Sequence, residues 1–343
     1  MAYIKLKTYI NEGLHIMKVL VTGSEGSLMQ AVIPHLIKKG HHVVGVDNLI
    51  RYGERLGHSG GGYKFIKVDL ADPVLVEQIF KNEKPDVVIQ AAARIYGVGG
   101  FNTFCADILG EDIALHNNVL KSSVSHGTKR VVYVSSSMVY ENCPQNIDVP
   151  VTEDMPDNYP APYTDYGLSK FTGERLSKAF AKQYGLEYTI WRPFNIITPY
   201  ERSESDIGVS HVFADYIKNI VVDITRPVPI IGDGTQIRSF TWIHEVAEAI
   251  ANHSFSENTK NEIFNLGNPE PISMIELAGI IHDVAVDENF LLSEHLTFKS
   301  VASYKNDVLV RIPDVSKAKT VLGWEAKQKI RESISKCLEN LVL

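Results

Sequence analysis

Tyr166 and Lys170 stand four residues apart, and on a helix that spacing places both side chains on one face with the ammonium near the phenol oxygen. A phenol with a pKa of ~10 is a poor base at neutral pH, but neighbouring positive charge favours the phenolate. In that form Tyr166 takes a hydroxyl proton while hydride leaves the same carbon. The run Ser135-Ser136-Ser137 ends an apolar stretch upstream, where a hydroxyl can orient the reacting hydroxyl or carbonyl. Both patterns also arise without catalysis, since YxxxK recurs by chance and a serine-rich turn is common after a strand.

A second group of residues has the form of a dinucleotide cradle. Gly23-Ser24-Glu25-Gly26-Ser27-Leu28-Met29 follows the first apolar run and opens a helical segment. There, backbone N–H groups and the helix dipole can receive a pyrophosphate. Met29 occupies the position usually held by a third small residue. Asp47 closes the second apolar run, placed to accept hydrogen bonds from adenosine ribose hydroxyls and to repel a 2′-phosphate, which favours NAD over NADP. Asp69-Leu70 follows the third run, where adenine is expected. With NAD⁺ bound, its positive ring adds to the Lys170 charge in favouring the Tyr166 phenolate.

Positioning these residues requires a parallel sheet. Short β-branched runs at 19–21, 43–46, 65–68, 87–89, 131–134 and 188–191 alternate with segments such as 28–39 and 74–81, whose apolar residues recur every three or four positions. This predicts an α/β fold with a doubly wound parallel sheet of the Rossmann kind. After Arg192 the rhythm loosens into Pro-, Gly- and Asp-rich loops, with helices expected near 246–254, 274–284 and 330–341. The expected organisation is an N-terminal extension over 1–16, a dinucleotide-binding domain over 17–192, and a smaller α/β substrate lobe over 193–343, interleaved with it.

Composition sets the outer bounds. The chain has 343 residues, is 44% hydrophobic and 22% charged, and carries a formal net charge of -7, which suits a globular protein and disfavours nucleic acid as the partner. Cys105, Cys143 and Cys337 show no ligand spacing and fit a reducing compartment, while His41 and His42 lack ligand partners, so no metal is expected. The first sixteen residues lack the apolar core of a signal peptide, and no stretch reaches the ~18 apolar residues of a membrane span. A cytoplasmic protein without membrane contact is expected.

Together, VTGSEGS, Asp47, Asp69-Leu70, Gln90-Ala91-Ala92-Ala93, SSSMVY, YGLSK, RPFN at 192–195, GDGTQIRSF at 232–240 and RIPDVSKAKTVLGW at 311–324 resemble the extended short-chain dehydrogenase/reductase superfamily, specifically its NAD-dependent nucleotide-sugar epimerase/dehydratase family. The resemblance implies Ser136, Tyr166 and Lys170 as catalytic triad. It implies NAD held by Gly23, Glu25, Gly26, Ser27, Leu28, Asp47, Asp69, Leu70, Ala91, Ala93, Tyr166 and Lys170. It also implies a nucleotide-diphosphate sugar held by Ser136, Ser137, Asn195, His211, Arg238 and Arg311, with the arginines on the diphosphate, and a homodimer in a polysaccharide or glycoconjugate pathway. Ser137 and Met138 lie against the sugar in such enzymes. Met138 cannot move protons, which weighs against dehydratase, decarboxylase and 3,5-epimerase chemistry, although 97–101 and Glu141 look like the GDP-mannose 3,5-epimerase subgroup. The expected activity is a 4-epimerase working by transient C4 oxidation and hydride return. The alternatives are a 4-ketosugar reductase, a GDP-mannose 3,5-epimerase-like enzyme, a decarboxylase or dehydratase of the same family and, of another class, a non-catalytic dinucleotide-binding regulator.

Overall fold

The structure is a computed structural model that describes residues 16–53, 62–204, 206–292, 295–304 and 307–341. The expected extension over 1–16 therefore lies, but for Ile16, outside the described residues. The β-branched runs form β1 (Lys18–Thr22), β2 (His42–Asp47), β3 (Tyr63–Lys67), β4 (Val87–Gln90), β5 (Arg130–Val134) and β6 (Glu187–Pro193). Between and beside them lie α1 (Ser27–Lys38), α2 (Pro73–Glu83), α3 (Val98–Thr103), α4 (Cys105–Ser125) and α5 (Asp165–Tyr184).

These strands make one parallel sheet in the order β3-β2-β1-β4-β5-β6, to which β11 (Glu262–Leu266) adds a seventh strand beside β6. Successive residues point to opposite faces of a strand, and here both faces are covered. Val19, Val21, Ile89 and Val132 pack into a core with Met29, Val32, Ile33 and Leu36 of α1. Leu20, Val44, Val88 and Val131 pack with Val76, Ile79 and Phe80 of α2 and Leu115, Val119 and Leu120 of α4. Strands buried on both faces are read from sequence as continuous apolar runs, and the sheet is the doubly wound Rossmann architecture expected from them.

Among the described residues beyond β6, the chain forms three short strand pairs. β7 (Asn195–Ile197) lies beside β10 (Phe240–Trp242), β8 (Val228–Ile231) beside β13 (Phe298–Val301), and β9 (Ile237–Arg238) antiparallel to β12 (Ile272–Ser273). α6 (Val212–Tyr216), α7 (Ile243–His253), α8 (Met274–Asp287) and α9 (Ile330–Glu339) accompany them. Elements from both sides of position 192 share one core: Val246, Ala247 and Ile250 of α7 pack with α1, and Phe264 and Leu266 of β11 join the same cluster. Among the described residues no helix is long and apolar enough to cross a membrane.

Candidate active site

The carboxyl ends of β1, β2, β4, β5 and β6 open onto a cavity of about 960 Å³, the place where ligands of doubly wound sheets bind. It is lined by Gly23, Glu25, Gly26, Ser27, Leu28, Asp47, Asp69, Leu70, Ala91, Ala93, Ser136, Ser137, Tyr166, Lys170, Asn195, His211, Arg238 and Arg311. Every site residue expected from the sequence thus faces one space, although these residues span almost the whole chain.

Helix α5 sets the Tyr166 and Lys170 pair. Thr164 caps it, its hydroxyl accepting from Gly167 N at 3.0 Å, and Glu141 fixes Thr164 in turn, taking its N–H at 2.8 Å and its hydroxyl at 2.7 Å. With both carboxylate oxygens so engaged, Glu141 joins the turn after β5 to the start of α5. Ser135 donates its hydroxyl to Glu174 Oε1 at 2.6 Å. Ser136 Oγ accepts from Met138 N at 3.1 Å and hydrogen-bonds the Tyr166 phenol. Lys170 is 2% exposed. Its Nζ donates to Val134 O at 3.1 Å and lies 5.8 Å from the Tyr166 ring centre.

The shared face is as expected, but the direction of the tyrosine shift is not. Burial raises the Tyr166 pKa, assisted by the nearby Asp112 carboxylate, and outweighs the lowering by the Ser136 hydrogen bond and by Arg311. Residue spacing fixes which face the phenol shares with the ammonium; it does not report that the phenol is desolvated while the ammonium spends a hydrogen bond on a backbone carbonyl. Burial lowers the Lys170 pKa, with Asp112 and Glu174 opposing.

The glycine loop has the shape of a dinucleotide cradle. Gly23 has φ +66°, and a Cβ there would lie 2.8 Å from Ala92 N, so only glycine lets this turn press against the end of β4. Gly26 caps α1 without a side-chain oxygen, leaving the first-turn N–H groups without a competing cap for an anion. Met29, in place of the third small residue, is 1% exposed and packs into the core. Asp47 accepts Glu25 N at 3.0 Å and Leu49 N at 2.7 Å, which fixes its carboxylate at the cavity edge. The Glu25 side chain turns to Tyr63, whose hydroxyl donates to it at 3.1 Å. These residues fit NAD.

At the far end, Arg311 and Arg238 lie close enough to repel each other. Burial and Arg238 push Arg311 down to about 9. Arg238 reaches Asp307 at 3.4 Å, whereas Arg311 Nη1 touches Met138 Sδ at 2.8 Å and its Nε is buried without a partner. Arg238 also donates to Ile237 O and Leu309 O, so it is Arg311 that is left under-compensated, and two buried guanidinium groups side by side suit a diphosphate. His211 Nδ1 meets both Glu201 oxygens, at 2.8 and 2.9 Å. The Glu201 carboxylate holds its charge and raises its pKa. Among the described residues no group of His, Cys, Asp or Glu could hold a metal ion, and Cys143 is a packed thiol pushed up to about 11 by burial.

Three site features were missed in the sequence. Phe101 stacks on Tyr166 at 4.8 Å and 12°. Asp112, buried and accepting Arg94 N at 2.7 Å, is raised to about 6 by burial, with Lys170 opposing. Arg51 lines the cavity beside Tyr96. A signal existed for Asp112 alone, as an acid on the apolar stripe of α4.

A dinucleotide cradle and a buried phenol–lysine pair in one cavity, at the carboxyl ends of a parallel sheet, define a Rossmann-fold dehydrogenase-type site. Residues 19–267 match the NAD dependent epimerase/dehydratase family; the chain belongs to that family, and its cofactor is NAD. It is 30% identical to the UDP-glucuronate 4-epimerase of Thermodesulfobacterium geofontis over 92% of this chain and 94% of that one. To the GDP-L-fucose synthase of Sinorhizobium fredii it is 25% identical, over 95% of both. The crystal structure of the UDP-glucose 4-epimerase of Thermotoga maritima with UDP-glucose superposes with a TM-score of 0.79 at 26% identity, covering 94% of this chain and 98% of that one.

Proposed function

We propose that this enzyme is a nucleotide-sugar epimerase that oxidises an NDP-hexose transiently at C4 and returns the hydride to the other face of the resulting ketone. The observation that carries the reading is the pairing of Tyr166 with Ser136 beside Met138. Two positions past the serine, this thioether can neither donate nor accept a proton in catalysis, so proton transfer falls to the triad. NAD, when bound, supplies the hydride acceptor and donor. Tyr166 Oη takes the C4 hydroxyl proton and gives it back to the alkoxide formed on the opposite face. Ser136 orients that oxygen. Lys170 supplies positive charge beneath the phenol, and Arg311 adds to it. Arg238 and Arg311 hold the diphosphate, leaving the sugar to turn against the apolar wall of Phe101, Val98 and Met138. Asn195 and Ser137 are placed for sugar hydroxyls, and His211 for the nucleotide.

A second copy of the chain is part of the proposal. Ala106, Gly110 and Ala114 make an exposed small-residue stripe on α4, which allows close helix approach, and size-exclusion chromatography with light scattering reads the state.

Incubating the enzyme with UDP-, GDP-, CDP- and dTDP-hexoses and resolving C4 epimers tests the activity. Redistribution without net cofactor change is expected, abolished by Tyr166→Phe with NAD still bound. Steady NADH consumption on a 4-ketosugar, with no redistribution, would replace the epimerase by a reductase.

A further inference from the structure

Arg51 is a cavity cation that the reading above leaves unused. It lies four residues past Asp47 in the connection leaving β2 and reaches across the cavity. Its Nη1 donates to Glu204 Oε1 at 2.8 Å, joining residues 153 apart in the chain. Its guanidinium carbon stands 5.0 Å from the centre of the Tyr96 ring and 5.5 Å from that of Tyr52. Tyr96 is held in turn by stacking on Phe104, 4.5 Å between centres at 22°. Three separate segments, 47–53 after β2, 94–98 after β4 and 207–213 after β7, line this same cavity with Glu201 and Glu204, and Arg51 joins the first two to Glu204.

The other edge of the guanidinium is dry. Nε and Nη2 are shielded from solvent and have no hydrogen-bond partner. That edge carries two parallel N–H bonds, a match for two oxygens of one phosphoryl group, and a shielded cationic donor edge is costly to leave unmade. The cavity also contains the phosphate cradle of Gly23, Gly26 and the start of α1, so an anion bound there shares one space with Arg51.

We propose that Arg51 is a phosphate clasp: its Nε/Nη2 edge takes a phosphoryl oxygen of the bound dinucleotide, while Glu204 and Tyr96 hold the guanidinium across the cavity and so retain NAD between turnovers. The proposal rests on the epimerase reading above, in which NAD undergoes no net change, and is tested without turnover. NAD release from the full-length, NAD-loaded protein is followed by trapping free NAD with a coupled dehydrogenase, and UDP binding is measured by calorimetry on the same samples.

Arg51→Gln is expected to speed NAD release about tenfold or more, the weight of one charge-assisted hydrogen bond, with UDP affinity within about twofold of wild type. Glu204→Gln, which keeps the guanidinium but loosens its anchor, is expected to speed release by less, about threefold, because an exposed ion pair is worth little more. Arg51→Lys retains a charge and loses the fork; it should release NAD nearly as fast as Arg51→Gln, and it stands in should that variant fail to fold. Unchanged NAD release in Arg51→Gln and Arg51→Lys would overturn the proposal. Weakened UDP binding with normal NAD release would assign the edge to the substrate's diphosphate and likewise overturns it. Absence of epimerisation on every sugar would remove the proposed activity and leave these release rates to decide the clasp.

Discussion

His116 gives the sharpest test of the packing behind the site. Its ring is 1% exposed on α4 and lies 4.2 Å from the Tyr133 ring. Nε2 meets Gly173 O at 3.1 Å and Ser177 Oγ at 3.2 Å, and Nδ1 is buried without a partner. A proton on Nδ1 would place an unpaired charge in the interior, and burial accordingly lowers the pKa to about 3, with Lys170 adding to the effect. The folded pKa lies below the unfolded value of 6.5, so the unfolded chain binds the extra proton between those limits. The stability contributed by neutral His116 is whole above pH ~6.5 and is lost progressively as pH falls towards ~3. Between pH 7 and pH 5 the loss from this one group is about 2 kcal/mol. Urea unfolding of the NAD-saturated protein at both pH values, for wild type and His116→Gln, isolates it because all other titrating groups are common to both. The wild type should lose about 2 kcal/mol more than the variant over that interval. Equal losses would refute a buried, neutral His116.

Two further perturbations address other parts of the molecule. Arg311→Gln should raise KM for the nucleotide sugar by about tenfold or more while NAD stays bound, since a charged donor on the diphosphate is lost; steady-state kinetics with a cofactor assay checks both. Arg192 holds Glu174 at 2.8 and 2.6 Å, both side chains being almost fully buried, so Arg192→Met, which strands that carboxylate, should destabilise by about 3–5 kcal/mol in urea unfolding.

The sequence was most informative where local pattern and location coincide. The strands of the large domain are legible because both faces are buried, and the glycine loop because it must follow β1 and open α1. Tyr166 and Lys170 share a face because helix spacing alone dictates it. The phenol's upward shift was not legible, because burial depends on what packs above the ring, and Phe101 comes from a different helix. Arg51 was invisible for the same reason: its meaning lies in Glu204, and no local pattern links residues so far apart. Asp112 was legible in principle, standing with Ile108, Leu115, His116 and Val119 on the buried side of α4.

The seventh strand has a consequence for how the protein can be taken apart. β11 is supplied by the chain well beyond residue 192, yet it adds the seventh strand of the parallel sheet against β6, and α7 comes back to cover α1. The two lobes are stitched together, not strung in series. A fragment ending at residue 192 would carry a bare strand edge and an uncovered apolar helix, both liabilities for aggregation. Exchanging the C-terminal half with a relative would exchange part of the cofactor domain as well. A graft that reshapes the cavity is therefore confined to short lining segments, such as 97–101 beside Tyr166, with both stitches left in place.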